Sequence, residues 1–158
     1  MNTSTLSTIM NGLMSRYSER VPDVKKITAA MAADHLISSL SDIENDHVAF
    51  RTLGVDHLGI ASFEKIFLVC GYEKKDYFYF EGKKLNAYWY APPTPNFPRI
   101  FLSELRVNDL SDEAQKIIIK YTKSIKEDPV DSLDLTDGTA IDSFLHSPLW
   151  DIPTLEDY

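Results

Sequence analysis

The sequence predicts an α+β protein with a helical N-terminal preface, one βαβββ unit, and a helical, partly irregular C-terminal extension. Three observations predict it. Apolar residues recur at helical spacing before about position 40. Between 47 and 107 the pattern changes to short alternating strands around one helix, and helical spacing returns after Ser111. The expected division is 1–42, 43–108 and 109–158.

The elements follow in order. Leu6, Ile9, Leu13, Met14 and Tyr17 share one face of a first helix, which Pro22 breaks. A second helix is expected over 23–40, with Val24, Ile27, Met31 and His35 on one broad face. The heptad 46–52 (DHVAFRT) alternates as a strand. A Gly54/Gly59-bounded turn leads to a helix whose Phe63, Ile66, Phe67 and Cys70 form a single stripe, with Gly71 suited to its C-terminal cap. Residues 77–80 and 85–90 read as aromatic strands joined by the turn 81–84. Residues 91–98 hold four prolines, so they form a loop. A strand follows over 99–107. Ser111 caps the next helix, Asp112 and Glu113 occupy its first turn, and Ile117, Ile118, Tyr121 and Ile125 form its stripe toward Pro129. A short helix near 140–145 and an exposed tail over 148–158 complete the chain.

Composition narrows the function. A net charge of -8, with only short lysine pairs at 74–75 and 83–84, leaves no phosphate track, so no nucleic-acid partner is expected. No apolar run reaches membrane-spanning length, so no membrane partner is expected either. The single cysteine, Cys70, excludes an intramolecular disulfide and a cysteine-cluster metal site. With no signal-peptide pattern, the expectation is a cytoplasmic protein. No nucleophile elbow, phosphate loop or dinucleotide fingerprint is present.

Strand alternation puts His47, Ala49 and Arg51 on one face and Val48, Phe50 and Thr52 on the other. If that face lines a cavity, His47 can hold a divalent metal and Arg51 can grip the carboxylate of a small acid with two parallel hydrogen bonds. The alternative is a hydrogen-bonded edge histidine beside a solvated arginine. Glu104 shares a face with Ile100, Leu102 and Arg106. A carboxylate among apolar neighbours needs a partner, which is either a metal or a salt bridge to Arg99, Arg106 or another cation. Tyr88 and Tyr90, with Asn86, form one face that could wall an organic substrate, although most of this aromatic group reads as sheet packing. His35, His57 and His146 read as packed or loop histidines, and Cys70 as a buried one.

The blocks 46–52 (DHVAFRT), 67–72 (FLVCGY), 83–93 (KKLNAYWYAPP) and 98–105 (PRIFLSEL), in this order, resemble the 2-oxoadipate dioxygenase/decarboxylase family, whose fold is vicinal-oxygen-chelate-like. The resemblance runs across nearly the whole chain. It implies a nonheme Fe(2+) enzyme that converts 2-oxoadipate, a small 2-oxo dicarboxylic acid, and O2 to 2-hydroxyglutarate and CO2. His47 matches the first metal histidine and Arg51 the substrate-binding arginine. Glu104 is a pseudo-equivalent of a glutamate that the family carries in a second, related half. This chain ends before that half's histidine and glutamate. The expectation is therefore the N-terminal portion of the enzyme or a degenerate short form, completed by the missing half or by a homodimer partner. The alternative is a noncatalytic metal- or oxo-acid-binding module.

Overall fold

A computed structural model describes residues 3–39 and 42–158. Helices α1 (Thr3–Arg20) and α2 (Pro22–Ala33) precede strand β1 (His47–Leu53) and helix α3 (Ile60–Val69). Strands β2 (Glu73–Phe80), β3 (Leu85–Ala91) and β4 (Arg99–Leu105) complete a βαβββ unit. Helices α4 (Asp112–Thr122) and α5 (Gly138–Phe144) follow, with short 3-10 turns at Val107–Asp109 and Pro129–Ser132. This is the α+β architecture expected.

The four strands form one mixed sheet in the order β1-β4-β3-β2. β1 runs parallel to β4, whereas β4-β3 and β3-β2 are antiparallel. The register pairs His47 with Arg99, Ala49 with Phe101 and Arg51 with Ser103. It also pairs Asn86 with Glu104, Tyr88 with Leu102 and Tyr90 with Ile100. Paired residues share a face, so these pairs define the two sides of the sheet.

One side is packed. Leu6, Ile9 and Met10 of α1, Ile66 and Phe67 of α3, Tyr90, Ile100 and Leu102 of the sheet, Val130, and Ile141 of α5 make a single core. The preface and the extension therefore meet over α3 and share a core with the strands. Glycines let α1 and α5 pack closely, because a Cβ at Gly12 would lie 2.2 Å from Asp142 Oδ1 and one at Gly138 would lie 2.8 Å from Thr5 O. Arg16 grips that carboxylate through two hydrogen bonds of 2.6 Å and also contacts the His146 ring. Helix α3 ends in a Schellman motif. Gly71 (φ 90°) donates to Leu68 O, Tyr72 N–H donates to Phe67 O, and the Tyr72 and Phe67 rings meet edge to face at 5.8 Å.

Some boundaries differ from expectation. Helix α2 stops at Ala33 and buries no residue, and His35 adopts φ 58°, so the broad helical face ending in His35 does not form. Leu40, its expected end, lies outside the described residues. Strand β2 starts at Glu73 rather than at residue 77, because its polar half pairs with Tyr90 and Ala91 despite a bulge before Tyr77. Helix α4 ends at Thr122, six residues short of Asp128 and Pro129. The tail is exposed at Ile152, Leu155 and Tyr158, yet Asp157 anchors it to Lys120 and Tyr121.

Candidate functional site

The face of the sheet opposite α3 carries His47, Ala49 and Arg51 from β1, Phe101 and Ser103 from β4, Trp89 and Ala87 from β3, and Phe78 and Phe80 from β2. It is open. His47, Ala49 and Arg51 are exposed, as are the rings of Phe78 and Phe80. The Phe101 ring lies 6.1 Å from His47 and 5.5 Å from Phe78, giving the face an aromatic floor.

His47 and Arg51 lie at its two ends, four residues apart on β1, or ~13 Å at ~3.3 Å per residue. His47 Nδ1 hydrogen-bonds Asp46 Oδ2 at 3.0 Å, and Asp46 Oδ1 in turn accepts from Arg99 at 3.1 Å. The His47 bond and the Arg99 charge hold the Asp46 carboxyl below the usual carboxylate range. Nε2, the other ring nitrogen, makes no hydrogen bond among the described residues, and its lone pair is available to a ligand. Among the described residues, Arg51 has no hydrogen-bond or ion-pair partner. An unpaired guanidinium on an aromatic-rich face is a ready anion site.

The other three expected site residues stand on the packed side. Glu104 is in register with Thr52 and Asn86, not with His47 or Arg51, so one ion cannot be held by His47 and Glu104 of the same sheet. Among the described residues its partners are a backbone N–H and a side-chain amide rather than a cationic side chain. Glu104 Oε2 accepts the Ile60 N–H at 2.9 Å, and Oε1 accepts from Asn86 at 3.3 Å. Gly59 at the N-cap of α3 has no side chain to cap the helix, and the Glu104 charge supplies that function from β4. Tyr90 is fully buried, and its hydroxyl donates to Glu64 at 2.6 Å. Burial and that carboxylate raise its pKa. Tyr88 packs on Tyr77 at 5.2 Å beneath the Lys74 ammonium, 3.9 Å from the ring centre. Neither tyrosine shares the face of His47, and within this chain both make packing contacts.

Of the aromatic residues that do share the His47 face, Trp89 belongs to the strand group that the sequence offers as a pocket wall, whereas Phe78, Phe80 and Phe101 do not stand out in it. Their parity relative to His47 is set by strand register, which the sequence does not print; only the alternation within each strand could have hinted at them. Cys70 is buried and free, and its burial raises the thiol pKa, which makes it a poor nucleophile. His57 adopts φ 68° in the turn before α3. Among the described residues, no group of three or more His, Cys, Asp or Glu side chains gathers to hold a metal ion. Within the described residues, His47 would give a metal one imidazole rather than a whole coordination sphere.

The sequence profile of the 2-oxoadipate dioxygenase/decarboxylase family matches residues 9–158. The chain belongs to this family. A rice protein described as 2-oxoadipate dioxygenase/decarboxylase, chloroplastic/amyloplastic, is 36% identical over 134 residues, which cover 77% of this chain and 35% of the rice protein. The Arabidopsis thaliana protein described as chloroplastic is 34% identical over 134 residues, covering 77% of this chain and 34% of its own length. The crystal structure of rice hydroxyglutarate synthase in complex with 2-oxoadipate superposes with a TM-score of 0.77 at 32% identity, covering 98% of this chain and 49% of that one. The chain spans about a third of the length of the curated relatives it matches. The cytoplasmic expectation is overturned by these relatives, both of which are described as plastid proteins. A lone cysteine reports that no intramolecular disulfide forms, not which compartment holds the protein. Among the described residues, no helix is long and apolar enough to cross a membrane.

Proposed function

We propose that this chain supplies half of the active site of an Fe(2+)-dependent dioxygenase/decarboxylase that converts 2-oxoadipate and O2 to 2-hydroxyglutarate and CO2. One observation supports it above the others: an imidazole Nε2 and a guanidinium, both without a partner among the described residues, stand ~13 Å apart on one open, aromatic-floored sheet face. That separation leaves room for an ion at one end and a dicarboxylic acid reaching toward the other. His47 would donate Nε2 to the ion. Iron, when bound, would supply the redox chemistry with O2 and polarise the 2-oxo acid. Arg51 would take a substrate carboxylate and fix its direction along β1. Phe101 and Phe78 would exclude water beside the aliphatic part of the substrate.

One imidazole cannot hold iron in a stable catalytic site, so a second sheet must cover this face and bring the remaining ligands, either from the rest of a longer chain or from a second copy. The single donor also keeps a second function in play, a metal- or oxo-acid-binding module without turnover. Anaerobic Fe(2+) reconstitution, followed by O2 and 2-oxoadipate with measurement of CO2 and 2-hydroxyglutarate, separates the two. The proposal expects both products from the assembled site and none from a His47→Ala variant. Binding of 2-oxoadipate with no product at full iron occupancy would favour the module.

A further inference from the structure

A row of side chains crosses all four strands at the end of the open face where His47 stands. Asp76 of β2 accepts a hydrogen bond from Trp89 Nε1 of β3 at 2.9 Å. The Trp89 ring lies under the Arg99 guanidinium of β4, 5.9 Å from its centre. Arg99 donates to Asp46 Oδ1 at 3.1 Å, and Asp46 Oδ2 takes His47 Nδ1 at 3.0 Å. The backbone reinforces the same junction, because Arg99 N–H donates to Asp46 O at 3.0 Å. Asp46 thus has one carboxylate oxygen for each neighbour and is steered from both sides.

We propose that Asp46, held by Arg99, is the positioning residue of His47: it fixes the imidazole as the Nδ1–H tautomer and turns Nε2 onto the open face. The physical basis is simple. A carboxylate accepts and cannot donate, so the proton of a neutral His47 must sit on Nδ1, leaving the lone pair on Nε2. A partner on the far ring nitrogen orients a ligating histidine and raises its basicity, and losing such a partner weakens metal binding by about 10- to 100-fold. Arg99 restrains the carboxylate and is itself kept over Trp89 by a cation–π contact. The proposal rests on the metal role of His47 given above.

Its test needs no turnover. Ring-nitrogen NMR of the 15N-labelled chain at alkaline pH reads the tautomer directly, and Co2+ added alone to the assembled site reads ligation through selective broadening of the His47 ring. The wild-type chain should show mainly the Nδ1–H form. Asp46→Ala should lose that preference, and Arg99→Gln should lose part of it, with melting temperatures held because Asp46 is exposed. Half-saturation by Co2+ should rise about 10-fold in Asp46→Ala. Broadening of His47 together with a wild-type tautomer in Asp46→Ala would overturn the positioning role alone. Absence of any Co2+ broadening of His47 in the assembled site would overturn the metal role and the positioning role with it.

Discussion

Glu104→Ala tests whether this carboxylate serves a helix or a metal. The substitution removes the acceptor of the Ile60 N–H, which lies at the start of α3 in a residue only 4% exposed, and no cap residue stands behind it because Gly59 precedes it. A buried donor left without a partner costs about 1–3 kcal/mol. Removing a negative charge from a helix N-terminus costs about another 0.3–1 kcal/mol. The sum is about 1–4 kcal/mol, which for a domain of this size lowers the melting temperature by about 3–16 °C. Glu104→Gln should lose less than half as much, since its amide oxygen can still accept from Ile60. Thermal and urea denaturation measure both. A Glu104→Ala variant as stable as wild type, but stripped of Co2+ binding at His47, would refute the capping role and return Glu104 to the metal.

Arg51→Ala should leave the melting temperature within about 1 °C of wild type, since Arg51 is exposed and unpaired, while weakening 2-oxoadipate binding by at least about tenfold in calorimetry of the assembled site. Gly71→Ala should destabilise the protein by about 1 kcal/mol, read from the urea midpoint, because a side chain at φ 90° strains the Schellman motif. The acid limb of stability should involve Asp128. Burial opposes its charge, but Lys65, Ser62 and the Val130 N–H outweigh burial and hold its carboxyl below the ordinary range. Its contribution is therefore complete above the unfolded pKa of about 3.9 and is lost as pH falls through the lower folded value. Urea midpoints between about pH 6 and pH 2.5 should fall less steeply at the acid end in Asp128→Asn.

The parts of the fold that depend on local pattern were legible. The α3 stripe of Phe63, Ile66 and Phe67, the Ser111 cap that accepts from Ala114 N–H, and the alternation of β1 all follow from neighbours in sequence. The same alternation correctly put His47 and Arg51 on one side. What failed depended on register. Whether Tyr88 or Trp89 shares a face with His47 turns on a parity set through two strand pairings, and a one-residue change reverses it. The salt bridge expected of Glu104 is replaced by contacts to a helix N-terminus and an amide, which no local pattern announces. The Arg16, Asp142 and His146 cluster joins residues some 130 positions apart, and no local pattern announces it.

The parallel pairing of β1 with β4 has a consequence in time. Strands β2, β3 and β4 follow one another through short connections, whereas Asp46 and Arg99 meet only after a loop of 53 positions closes. Closing that loop costs entropy before any contact rewards it, so β1 is expected to join last and to fray first. Amide exchange should therefore be faster in 47–53 than in 99–105. Whatever occupies the His47 face would then act as a clasp, tightening the slowest seam in the molecule when it binds.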